Sequence, residues 1–254
     1  MIKITDLPTR PPDNVDRKAL ERKTEKLQER LDELHQLLRA DGRYSVLVVL
    51  QGMDASGKDG AVKNVFRKCS HLGIHVHAFK KPTKEELAHD FLWRCHQKTP
   101  AHGEIVIWNR SHYEDVLIQR VHGWIDEKRV TNRMQAINHF ERLLWEDNNT
   151  LVLKYFLNLS YEQQYEELME RIDEREKNYK YNDGDWEQRK YWQRYMECYE
   201  DVLNRCNDTP WVNVPVDARW YRNYVMTRHL VEQLEALPLV YPNLPDGVNS
   251  ETHS

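Results

Sequence analysis

The run Gly52-Met53-Asp54-Ala55-Ser56-Gly57-Lys58 has the spacing G-x-x-x-x-G-K, and a backbone of that pattern curls so that successive N–H groups point at phosphate oxygens. Glycines permit the curl, the N-terminus of a following helix adds partial positive charge, and Lys58 adds a full one. Gly52, Ala55, Ser56, Gly57 and Lys58 are therefore candidate phosphate contacts. Position 59 is Asp59, where serine or threonine ordinarily holds magnesium, and a second carboxylate, Asp54, stands inside the loop. Carboxylates repel phosphates unless a divalent cation lies between them. The pattern thus calls for Mg2+, with Mn2+ as an alternative. Asp54 is the expected metal ligand and the group that orients the nucleophile. Asp59 faces the phosphates, or it is a helix N-terminal carboxylate stabilised by the dipole.

The apolar run Ile105-Val106-Ile107-Trp108 ends in Asn109 and Arg110, where most P-loop enzymes place a magnesium-binding aspartate. A neutral amide is a poorer ligand, so the metal duty falls to Asp54 or to a nearby carboxylate such as Glu114. Arg110 is placed to neutralise a phosphoryl group in transfer, which makes Asp54, Lys58 and Arg110 the expected catalytic set. Lys80 and Lys81 follow the second strand, and Arg171, Lys177 and Lys180 lie in a polar insertion; all five are expected phosphate contacts. The pair His75 and His77 reads as one face of a strand rather than a metal site. Trp192, Tyr195 and Tyr199 recur at helical spacing and read as packing.

These residues need elements to hold them. Leu20, Leu27, Leu31, Leu34 and Leu38 mark one face of an N-terminal helix that ends near Gly42. Residues 44–51 form an apolar strand that runs straight into the loop, and a helix follows over 58–71. The alternation continues with a strand at 74–79, a helix over 83–98 with Thr83 and Glu86 as a capping box, and a strand at 104–109. Helices begin at Tyr113 and Thr131. A strand at 151–157 precedes a charged helix opening at Ser160, and a last strand at 211–214 precedes a helix over 218–237. Strands separated by helices imply a parallel sheet covered on both faces. Between the charged helix and the last strand, Asn182-Asp183-Gly184-Asp185 reads as a turn with Asp185 as an N-cap, within a mobile lid at about 171–190. One domain is expected over 1–237, and the tail at 238–254 is expected to lack order.

With 254 residues, about 40% of them apolar, the chain can bury a core, and no apolar run reaches the length of a membrane span. No secretory pattern opens the chain, and the four cysteines lack close-pair spacing, so a cytoplasmic location with free thiols is expected. A formal net charge of −4 offers no global field for nucleic acid, so a polyanion must meet a local basic cluster.

Three stretches together resemble the second polyphosphate kinase family, the polyphosphate:nucleotide phosphotransferases: residues 51–60, Phe79-Lys80-Lys81-Pro82-Thr83, and Asn109-Arg110-Ser111-His112-Tyr113-Glu114-Asp115-Val116-Leu117. The lid run 171–192 joins them, and the resemblance spans about residues 7–237. It implies a three-layer α/β/α P-loop kinase-like fold with a parallel sheet, an N-terminal helix and a helical lid. It further implies Mg2+-dependent transfer of the terminal phosphoryl of inorganic polyphosphate to AMP and/or ADP, in a dimer or tetramer. Asp54 is then the catalytic, metal-binding carboxylate, and Lys58, Lys80, Arg110, Lys177 and Lys180 face phosphates. Asn109 with Glu114 resembles the subgroup that accepts both AMP and ADP, which makes Arg67, Asn109, Glu114 and Arg120 the nucleotide contacts expected from the resemblance. Glu174-Arg175 stands where the family often has Asp-Pro, and Tyr179 where tryptophan is usual. Two other readings remain from the residues alone: an ATP-dependent nucleotide or small-metabolite kinase, and a nucleotide-sensing scaffold without turnover.

Overall fold

The computed structural model describes residues 1–244. Helix α1 (Arg17–Asp41) starts where the Asp16 carboxylate accepts from the Ala19 amide, and it stops at Gly42, whose φ of 67° suits a residue without a Cβ. Leu31, Leu34 and Leu38 on its inner face are fully buried, each contributing about 2 kcal/mol of apolar transfer. Strand β1 (Ser45–Gln51) follows, then α2 (Lys58–Val65) and β2 (Ile74–Ala78). Next come α3 (Lys84–Ala88), α4 (Trp93–His96), β3 (Ile105–Asn109), α5 (Ile118–Val121) and α6 (Glu127–Asn148). The order closes with β4 (Thr150–Asn158), α7 (Tyr161–Asp173), α8 (Asp183–Arg189), α9 (Trp192–Arg205), β5 (Trp211–Pro215) and α10 (Arg219–Glu235).

The five strands form one parallel sheet in the order β2-β3-β1-β4-β5. β1 lies at its centre, with Val48 opposite Ile107 on one side and Leu153 on the other. Because successive side chains of a strand point to opposite faces, Leu47 and Val49 join a core with α6 and α9, whereas Val46, Val48 and Leu50 join a core with α1, α2 and α10. This is the three-layer α/β/α arrangement. The chain leaves β1 toward β2 and β3 on one side and later returns to β4 on the other, so a crevice opens at the C-terminal end of β1, where ligands bind in such sheets.

Several boundaries differ from the sequence reading for local reasons. α2 ends at Val65 rather than 71, and Arg67 beyond it turns to Gln28 and Glu25 of α1. The expected helix over 83–98 keeps its Thr83–Glu86 capping box but breaks at His89; the Asp90 carboxylate then accepts from the Leu92 amide ahead of α4. The helix expected from Tyr113 is a 3-10 turn over His112–Asp115, capped by the Ser111 hydroxyl, followed by the short α5. α6 opens four residues earlier than Thr131 because Asp126 caps it. The N-cap of α8 is Asn182, accepting from Gly184, and Asp185 is turned inward instead. Of the expected tail, residues 245–254 lie outside the described residues, whereas the Pro238 carbonyl accepts from Arg43 and the Val240 amide donates to Asp41. Among the described residues no helix is long and apolar enough to cross a membrane.

Candidate active site

The loop after β1 curls as its glycines require. A Cβ at Gly52 would stand 2.6 Å from the Leu157 carbonyl, and Gly57 has a φ of 78° with Arg222 Nη1 only 2.5 Å from where its Cβ would be. Ala55 has a φ of 67° despite its side chain, so this turn is held rather than relaxed. Lys58 is buried and its Nζ donates to the carbonyls of Gly52 (2.8 Å) and Met53 (3.0 Å) and to Ser56 Oγ (3.3 Å). Burial and the nearby Arg110 push its pKa down to about 8, against the carboxylates of Asp54, Glu114 and Asp59.

At the end of β3 the Asn109 side chain donates to Asp59 Oδ1 at 2.5 Å, which ties the first turn of α2 to the neighbouring strand. Arg110 also has a positive φ, 63°, and its guanidinium lies on the Asp54 carboxylate. Burial works to lower the Arg110 pKa, but the carboxylates of Glu114 and Asp54 outweigh it and hold the group charged. Glu114 is pushed up by burial, opposed by Arg110 and Lys58. With the Gln51 amide turned so that its nitrogen donates to Glu114 Oε1 (3.1 Å), its oxygen accepts from Ser111.

Two cavities meet at the Asp54–Arg110 pair. The larger, about 940 Å³ and open, is walled by the loop residues Ala55, Gly57, Lys58 and Asp59, by Asn109, and by Lys80 and Lys81 from the end of β2. Arg171, Lys177 and Lys180 reach it from the insertion between α7 and α8. In this arrangement the three are not free: Arg171 pairs with Asp185 at 2.5 Å, Lys177 with Glu170 and Glu174, and Lys180 Nζ lies 5.6 Å from the Tyr179 ring centre. The smaller cavity, about 150 Å³, is lined by Gly52, Glu114, Gln188, Tyr195 and Tyr199 together with Asp54 and Arg110. The two tyrosines pack in the core as expected and also form this wall.

Arg67 and Arg120 do not reach either cavity. Arg67 is engaged by α1, and Arg120 is held by Glu127 and Asp201. Ser56 lies beneath the loop, its hydroxyl turned to Lys58. The sequence reading passed over a basic group at the start of α10: Arg219 and Arg222, with Trp220 and Asn223, line the larger cavity. Arg222 is almost fully buried, bonds only the Gly57 carbonyl (3.0 Å) and the Asn223 side chain, and has no carboxylate partner among the described residues. Its burial and Arg219 lower its pKa to about 10. The signal was present, since α10 leaves the C-terminal end of β5, the same edge of the sheet as the phosphate loop.

Among the described residues no three His, Cys, Asp or Glu side chains cluster as a preformed metal cage. A magnesium-like ion needs only one or two carboxylates beside phosphate oxygens and water, and the Asp54 carboxylate on the wall of both cavities fits that requirement.

A family model described as Polyphosphate kinase 2 (PPK2) matches residues 14–238, nearly the whole described chain. The chain belongs to that family. It is 45% identical over 218 residues to the AMP/ADP-polyphosphate phosphotransferase of Meiothermus ruber, covering 85% of this chain and 81% of the relative. To the ADP-polyphosphate phosphotransferase of Rhodopseudomonas palustris it is 40% identical over 228 residues, covering 84% and 78%. The crystal structure of Polyphosphate Kinase 2 from Arthrobacter aurescens TC1 superposes with a TM-score of 0.94 at 34% identity, over 99% of this chain and 92% of that one. The chain is thus an enzyme, a phosphotransferase on a P-loop kinase fold.

Proposed function

We propose that the chain moves the terminal phosphoryl group of inorganic polyphosphate onto AMP and ADP, forming ADP and ATP, with a divalent cation that is Mg2+ by preference. The observation that carries this reading is the meeting of two unlike cavities at Asp54 and Arg110. The charged side chains lining the larger are mainly basic, as suits a chain of phosphates; the smaller is walled by Tyr195, Tyr199 and the half-buried Glu114, as suits the acceptor nucleotide's reacting end.

In this arrangement Ala55, Gly57 and Lys58 hold the end of the donor, and Lys80, Lys81, Arg219 and Arg222 balance the charge of the phosphates behind it. Arg110 stands between donor and acceptor, where it spreads the charge of the phosphoryl in transfer. Asp54 would hold the cation and set the direction of the attacking phosphate oxygen. A cation held by Asp54 would supply positive charge that offsets the phosphates and the charge of the phosphoryl in transfer. Asp59, tied to Asn109, keeps the end of β3 against the loop.

A donor exchange tests the proposal. The purified chain with Mg2+, ADP and polyphosphate as the sole donor is expected to form ATP, and AMP to yield ADP and then ATP, with both reactions stopped by a chelator. Product from ATP as donor but none from polyphosphate would favour an ordinary nucleotide kinase.

A further inference from the structure

Beneath the phosphate loop a buried side-chain relay runs from α8 through α7 to the peptide between Asp54 and Ala55. Gln164 of α7 is fully buried. Its Nε2 donates to the Asp54 carbonyl at 2.9 Å, and its Oε1 accepts from Arg189 Nη1 of α8 at 2.8 Å. The same Arg189 nitrogen donates to the Tyr161 carbonyl at 2.8 Å, and the guanidinium sits 3.5 Å from the centre of the Tyr161 ring. Arg189 is buried and has no carboxylate in ion-pair contact among the described residues, so the ring face and the two oxygens are what hold it.

We propose that Gln164 and Arg189 are positioning residues that aim the Ala55 N–H into the phosphate cleft and couple the placement of α8 to that of the loop. In a trans peptide the carbonyl and the N–H point to opposite sides. Turning the Asp54 carbonyl toward α7 therefore turns the Ala55 N–H toward the cleft that Ala55 lines. That N–H has no hydrogen-bond partner among the described residues, and the positive φ of Ala55 is the conformation that keeps it there. Nothing in the alanine favours this geometry, so an outside contact must impose it.

The relay also has a direction. A carboxamide has one donating and one accepting end, and Arg189 can only donate. Its contact with Oε1 fixes which end of Gln164 is left for the loop. If α8 moves, Gln164 is free to rotate and the Asp54–Ala55 peptide loses its support. α8 follows Asn182, which lines both cavities, so closing or opening of that segment would reach the donor cradle through these two side chains. This inference rests on the reading of the larger cleft as the site of a phosphate chain.

The test is titration of the full-length protein with inorganic tripolyphosphate and Mg2+ in the absence of nucleotide, alongside KM for ADP and thermal melting. Gln164→Glu keeps size and gains a charge partner in Arg189, so it folds, but an ionised carboxylate cannot donate to the Asp54 carbonyl. It is expected to melt within a few degrees of wild type while binding tripolyphosphate about tenfold more weakly, with KM for ADP changed less than about twofold. Gln164→Met is expected to weaken tripolyphosphate likewise. Arg189→Met should do the same, and the double variant should be no worse than either single one, because both break one relay. Arg189→Lys retains a donor for Oε1 and should recover most of the affinity. Wild-type affinity in Gln164→Glu, or additive losses in the double variant, would overturn the relay, and so would proportional losses of both substrates that track the melting temperature. A wild-type protein that does not bind tripolyphosphate would overturn the reading of the cleft itself.

Discussion

The Arg110 guanidinium lies on the Asp54 carboxylate, joining the end of β3 to the phosphate loop across 56 positions of sequence. Each group meets its opposite charge at the point where donor and acceptor phosphates would meet. Under the proposed function, substrate binding would divide this pair, Arg110 turning to phosphate oxygens and Asp54 to a cation.

That division predicts different signs for binding and for turnover in Asp54→Asn. Removing the carboxylate removes a repulsion toward phosphate and frees Arg110, so metal-free tripolyphosphate should bind at least as tightly as to wild type in calorimetry. Turnover should nevertheless fall by about a hundredfold or more, because the cation and the nucleophile lose their anchor. Near-normal turnover would remove Asp54 from the mechanism.

Lys58 gives the pH dependence. Its pKa in the fold is about 8, against an ordinary 10.5, so its charge is lost as pH rises through about 8. The profile of kcat/KM for polyphosphate reports the free enzyme, and it should decline above about pH 8. The stability effect has the opposite sign: between 8 and 10.5 the unfolded chain holds a proton that the folded chain has released, so this group favours the fold more as pH rises. Lys58→Arg stays charged, and its kcat/KM should lack the alkaline limb whatever its remaining rate.

Arg222 supplies a buried positive charge with no carboxylate partner among the described residues, beside the Gly57 carbonyl. Such a charge costs the empty fold desolvation that bound phosphate would offset. Arg222→Met should therefore raise KM for polyphosphate by about tenfold while leaving the melting temperature unchanged or higher. A lower melting temperature with unchanged KM would make Arg222 a support for the loop and nothing more.

The loop and the sheet were legible in the sequence because each is local: a strand, a glycine pattern and a helix in a row, with Arg110 following the last residue of a strand; that Arg110 lies on Asp54 is a contact only the fold supplies. The α1 stripe of leucines and its stop at Gly42 were readable for the same reason. What local patterns miss is partnership over distance. Arg67 and Arg120 look free in sequence, but α1 claims the first and Glu127 with Asp201 the second. Arg219 and Arg222 look like the surface of a last helix until β5 places that helix beside the loop. Gln164 is an ordinary polar residue in a charged run, and only its burial against the Asp54 carbonyl gives it a role.

The central claim is that the phosphoryl group at the end of the polyphosphate chain is the one transferred to the nucleotide. Polyphosphate carrying a 32P label only in its terminal residues, mixed with excess enzyme, Mg2+ and ADP for a single turnover, tests it directly. The label is predicted to appear in the γ-phosphate of ATP, with the chain shortened by one unit. Unlabelled ATP with the label retained in polyphosphate, or no ATP at all, would contradict the account.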